Sequence, residues 1–128
     1  MVNINLEIER RKDVWLALSD LFLDTDVSLS YEHIARVCGA SEYSLQELKE
    51  ILESEVAPVC AENLLSIAGE WAGFDEQWLV NSILENMHNK PSILRRVLKL
   101  LTNPSLKIYI NSHWSKVAPK IDEMRNNA

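Results

Sequence analysis

The sequence predicts an all-α protein, a single compact bundle of about seven helices spanning residues 1–128. Three observations predict it. Apolar residues recur with a period near 3.6 along almost every segment. No stretch shows the strict alternation and β-branched or aromatic enrichment of a strand. Helix-start and helix-stop residues punctuate the chain at short intervals, and no Gly-, Ser- or Pro-rich linker or internal repeat divides it. With 128 residues, 47% of them hydrophobic and 25% charged, the chain is long enough to bury roughly two thirds of its unfolded surface without a staple.

In the first predicted helix Ile8, Trp15, Leu18 and Phe22 keep heptad spacing, with Val14 and Leu21 alongside and Glu9, Arg10, Lys12 and Asp13 elsewhere; it ends near Leu23. Ser30 is the expected cap of a short second helix that carries Ile34, Ala35 and Val37 and stops at Gly39. Ser44, with Glu47 three residues on, forms a capping box that opens a third helix running to about Glu55. Pro58 suits the first turn of a fourth, with Leu64, Leu65, Ala68 and Trp71 on one side and Gly73 at its end. Asp75 caps a fifth, whose apolar stripe is Val80, Ile83, Leu84 and Met87. Pro91 opens a sixth, with Leu94, Val97, Leu98 and Leu101 inward and Arg95, Arg96 and Lys99 outward. Asn103 and Pro104 start a seventh with Leu106, Ile110, Val117, Ile121 and Met124 inward, kinked or split at Pro119.

Cys38 and Cys60 sit apart among apolar residues, the pattern of buried reduced thiols rather than of a disulfide or a zinc pair. No apolar run reaches the length of a signal h-region or a membrane span. A soluble cytoplasmic protein is the expectation.

Charge is distributed in blocks: −3 over residues 1–30, −9 over 31–88 and +6 over 89–128. Either an acidic front pairs internally with a basic tail, or an acidic face is kept for a basic partner. On the second reading the outward residues Glu47, Glu50 and Glu53, with Glu42 just before them, are the partner-binding surface.

Motifs that could carry chemistry fall short of it. Asp24, Asp26 and Ser28 have the spacing of a calcium loop, but Leu29 stands where the sharp turn needs Gly and Ala35 where a bidentate Glu is required. A polar turn with Asx-type hydrogen bonds is expected there instead. Glu85 and His88, three apart, could present two ligands to one metal, yet no second such pair exists; His33, His88 and His113 are read as surface or helix-end residues. The segment 34–41 followed by Leu45, Leu48 and Leu52 has helix-turn-helix character, but its second helix would push Glu47, Glu50 and Glu53 against phosphates, so nucleic-acid binding is not expected. No Gly-rich phosphate cradle or nucleophile turn occurs, and no metal or cofactor is expected. Glu55 is unusual: a helical wheel places it among Leu48, Ile51 and Leu52, so it needs a partner, and the free amides at the start of the next helix are the expected one. Trp71, Phe74 and Trp78 are expected to fill a corner of the core; exposure of one beside Glu70 would mark a binding hot spot.

The stretches Leu21-Phe22-Leu23-Asp24-Thr25-Asp26 and Glu55-Val56-Ala57-Pro58-Val59, together with Asn63-Leu64-Leu65-Ser66-Ile67-Ala68-Gly69-Glu70-Trp71-Ala72-Gly73-Phe74-Asp75, resemble a family of small bacterial proteins classed as a domain of unknown function. The resemblance is strongest from Glu55 to Leu79 and thins after Lys90, where members are richer in arginine. It implies a bacterial, freestanding helical domain and transfers no catalytic residue.

Two functional expectations follow. The first is a non-enzymatic acidic interaction domain of the immunity or antitoxin kind, covering a basic toxin. The second is a small enzyme or ligand-binding domain with a pocket between the fourth, fifth and seventh predicted helices.

Overall fold

A computed structural model describes residues 4–23, 26–61, 73–88 and 102–127, and the structural statements below concern these. Helix α1 (Ile4–Ser19) passes into a 3-10 turn, Asp20–Phe22. Its heptad residues Trp15, Leu18 and Phe22 are buried with Val14 and Leu21, as their spacing predicts. Each such side chain contributes about 1.5–3 kcal/mol by leaving water.

The turn after α1 is closed by Asp26, whose carboxylate accepts from the Ser28 backbone N–H at 3.1 Å and the Ser28 hydroxyl at 2.6 Å. This is the Asx-type turn expected in place of a calcium loop. It starts an additional 3-10 turn, Val27–Ser30, that leads into α2 (Tyr31–Ala40), and the expected cap Ser30 makes no side-chain hydrogen bond. Gly39 does not end α2 either. The helix runs one residue further, and the chain turns at Ser41, which is extended.

The Ser44 capping box is present: the Ser44 hydroxyl accepts from the Glu47 N–H at 3.1 Å and the Ser44 N–H donates to the Glu47 carboxylate at 2.9 Å. The helix it opens, α3, consists of an α segment Leu45–Ile51, a π segment Leu52–Val56 and a final α segment Ala57–Cys60 without interruption. The expected break before Pro58 therefore does not occur. Proline has no N–H, and its ring clashes with the carbonyl four residues back. The wider π turn just before it, in which the Ala57 N–H reaches the Leu52 carbonyl, moves that carbonyl aside and lets the helix continue.

Gly73 adopts φ +149°, where side chains are strained. Asp75 follows and caps α4 (Glu76–His88), its carboxylate accepting from the Trp78 N–H at 2.9 Å. Leu79 and Ile83 are the buried residues of α4, with Val80 and Leu84 packed partly against the core. Met87, expected inside, is exposed. Helix α5 (Pro104–Asn126) is capped by the Asn103 side chain, which accepts from the Leu106 N–H. Pro119 does not split it. That residue lies on the exposed side, where water can take the carbonyl that loses its partner. Ile110, Val117 and Ile121 are buried as expected, and Trp114 joins them.

The described residues thus form five helices and no strand, an all-helical compact arrangement with fewer helices than the seven or so anticipated. The third and the start of the fourth predicted helices are one, and the sixth lies outside the described residues. Helix α1 touches α2, α3 and α4, and α2 lies along α5. The helix-turn-helix resemblance does not extend to the packing, because α2 rests on α1 and α5 instead of pairing with α3. Both cysteines are free and buried, and burial pushes each thiol up to about 12. Among the described residues no helix is long and apolar enough to cross a membrane.

Candidate functional site

The placement of α3 against α1 depends on Glu55. The π turn carries this carboxylate toward α1, where Arg11 Nη1 donates to both oxygens at 3.0 and 2.7 Å and Trp15 Nε1 donates to Oε1 at 2.8 Å. Arg11 also lies over the Tyr43 ring, 5.3 Å from its centroid. Glu55 is thus the inter-helix tie its inward position requires, but with different partners from those expected. A continuous helix offers no free amides beyond Pro58. Arg11 and Trp15, four residues apart on one face of α1, supply three donor contacts instead.

This tie leaves the opposite side of α3 facing outward. Glu47 and Glu50 are exposed and Glu53 is partly exposed. Glu47 is engaged in the capping box, and the Ser44 hydrogen bonds hold its carboxyl below the ordinary carboxylate range. Glu53 is 3.8 Å from Lys49, and Glu42, on the turn before α3, is 3.4 Å from Arg10. Glu50 has no ion pair among the described residues. The structure therefore brings Glu47, Glu50 and Glu53 onto one outward face, with Glu42 at its start. Arg95, Arg96 and Lys99, the expected internal partners of this face, lie outside the described residues.

A second feature was not anticipated from the sequence. An open groove of about 620 Å³ runs between α1 and α2; most of the fourth predicted helix, beside which a pocket was expected, lies outside the described residues. Its α1 wall carries Glu9, Asp13 and Asp20, and its α2 wall carries His33 and Arg36. Burial pushes the Asp20 carboxyl up, against an opposing pull from His33. Phe74 closes one end and stacks on Trp78 at 5.9 Å between ring centroids. Trp78 is 47% exposed, so it is a surface residue and not part of the core corner the sequence suggested, whereas Phe74 is partly buried against the core. Trp71 and Glu70 lie outside the described residues.

His33 and His88 are exposed as read, and so is Glu85. His113 is different. Its Nδ1 shares a hydrogen bond with the Tyr31 hydroxyl at 2.5 Å and its ring meets Tyr109 edge-on at 4.4 Å, while the Tyr109 hydroxyl donates to the Leu21 carbonyl at 2.6 Å. Burial lowers the His113 pKa. A histidine kept neutral by the fold takes up its proton more readily once unfolded, so stability is lost as pH falls below the ordinary value of 6.5. The urea midpoint is expected to drop between neutral pH and pH of about 5, with a shallower slope in His113→Gln; an unchanged slope in the variant would contradict this assignment.

Helical packing, an acidic face and an open groove define a class, a small all-helical domain. The chain belongs to the family described as Domain of unknown function (DUF7079), which matches residues 9–120. No curated protein and no solved structure matches it.

Proposed function

We propose that this chain is a non-enzymatic interaction domain for a basic protein, of the immunity or antitoxin kind, acting in a reducing cytoplasm through the outward face of α3. One observation carries the reading. Among the described residues 4–61 every base except Arg36 is already held in an ion pair: Arg10 by Glu42, Arg11 by Glu55, Lys12 by Glu76 and Lys49 by Glu53. The basic C-terminal helix does not compensate the remaining acids. Lys107, Lys116 and Lys120 form no ion pair among the described residues, and Arg125 donates to backbone carbonyls. An acidic surface with more acids than paired bases among the described residues steers a basic partner and fixes its orientation.

The test is the association rate of the partner recovered from the native host. Glu47→Gln keeps the capping box, because glutamine serves as well at that position. Combined with Glu50→Lys and Glu53→Lys it changes the charge of the face at a stability cost of about 0–1 kcal/mol. This triple variant is expected to slow association by about tenfold or more. A rate equal to that of the unaltered protein removes α3 as the contact surface.

A further inference from the structure

We propose that the groove between α1 and α2 is a second contact site, which takes an extended segment of the partner protein bearing an arginine or lysine side chain. The inference deepens the interaction reading and rests on it.

Glu9, Asp13 and Asp20 follow the spacing i, i+4, i+11, which puts all three carboxylates on one side of α1 and its 3-10 extension, with Leu16 between them. None forms an ion pair or side-chain hydrogen bond among the described residues. His33 and Arg36 stand on the facing wall and pair with none of them either. Asp20 feels the electrostatic pull of His33, but no ion pair spans the two walls among the described residues, which leaves room for an occupant that contacts both. Arg10 also borders the groove, but it is engaged by Glu42. Three carboxylates then face Arg36 and a histidine, so the α1 wall selects a cationic head group.

The rest of the groove fits a basic side chain on a peptide. Leu16, Ala17 and Val37 give the lining apolar surface for the methylene stem of lysine or arginine. Asp20, partly buried where Glu9 and Asp13 are exposed, meets the head group with the weakest solvent screening of the three. Arg36 can donate to backbone carbonyls of the same segment. Phe74, which lines the groove, offers an aromatic ring to a neighbouring cation. The volume, about 620 Å³, is that of clefts which hold a drug-sized ligand, about 300–1,000 Å³, so one side chain and its adjoining backbone fit.

Fluorescence anisotropy with a dye-labelled, end-blocked hexapeptide of alternating arginine and glycine tests this on the full chain. The protein is expected to bind that peptide and not its glutamate counterpart. Asp13→Asn with Asp20→Asn is expected to weaken binding by about tenfold or more, the scale of a lost charge-assisted hydrogen bond, while Glu50→Lys with Glu53→Lys leaves it within about twofold. Thermal melting followed by circular dichroism checks that the variants fold, and Asp13→Asn alone, at an exposed position, keeps the test open if the double variant does not. Binding that is indifferent to Asp13 and Asp20 overturns the proposal. So does equal weakening by both variant sets, which would mean general attraction to an acidic protein, and so does capture of the glutamate peptide. Failure of the α3 reading looks different: the native partner's association rate ignores the α3 substitutions, whatever the peptide does in the groove.

Discussion

Replacing Glu55 with alanine is expected to destabilise the protein by about 2–3 kcal/mol, read from urea unfolding followed by circular dichroism. The loss exceeds that of a surface ion pair because Glu55 is 13% exposed and Arg11 27% exposed at their side chains. Removing the carboxylate leaves a guanidinium and an indole N–H partly buried without their acceptor. A fully buried pair would lose more, about 3–5 kcal/mol, and residual water at Arg11 accounts for the reduction. Glu55→Gln retains an acceptor for Trp15 and is expected to cost about half as much. A loss below about 0.5 kcal/mol for Glu55→Ala would mean that packing of Leu52 and Val56, and not the tie, holds α3 to α1.

Arg125→Ala is expected to cost about 2 kcal/mol. From near the end of α5 this guanidinium donates to four carbonyls, those of Cys38 at 3.1 Å, Gly39 at 3.2 Å, Ser41 at 3.2 Å and Tyr43 at 2.6 Å. Two of these belong to the last turn of α2, where carbonyls lack helical partners and the helix dipole favours a cation. The other two belong to the turn that leads to the capping box of α3. One residue of α5 therefore fixes both the end of α2 and the direction in which α3 starts. Arg125→Lys is expected to recover less than half of the loss, since an ammonium cannot reproduce the planar fork. Native-state hydrogen exchange should show the damage concentrated at Gly39 to Ser44, and uniform loss across the chain would contradict a local capping role.

Local physics made much of this fold legible before any coordinates. The heptad of α1, the Ser44–Glu47 box, the Asp75 and Asn103 caps and the buried faces of α2 and α5 all depend on residues within a turn or two of each other, and spacing along the sequence reports them directly. Errors arose where a long-range or competing local effect prevailed. Pro58 and Gly39 looked like boundaries, but a π turn accommodates the first and a distant arginine moves the end of α2 past the second. Trp114 and Leu79 were legible in principle, since each continues an i, i+4 stripe to Ile110 or Ile83. Met87 and Trp78 were misplaced because hydrophobicity indicates burial and says nothing of where a helix leaves the core.

The site was less legible. Glu55 announced itself as an inward charge that needed a partner, but the choice of Arg11 and Trp15 depends on how α1 and α3 cross. The acidic residues of α3 could be assigned to its outer face from the wheel alone. The groove could not be foreseen, because its walls belong to separate helices and its charges matter only once those helices face each other. His113 similarly looked like a surface residue until Tyr31 and Tyr109, 82 positions earlier and four positions earlier, closed around it.

The central claim is that an acidic surface captures a basic protein, and the most direct measurement is the association rate of the purified partner as a function of ionic strength. The account predicts a rate that falls steeply as salt rises from about 10 mM to about 150 mM, the range over which the screening length shrinks from about 30 Å to about 8 Å. It also predicts a much flatter dependence for the Glu47→Gln, Glu50→Lys, Glu53→Lys variant. An association rate for the unaltered protein that does not change over that range would contradict it.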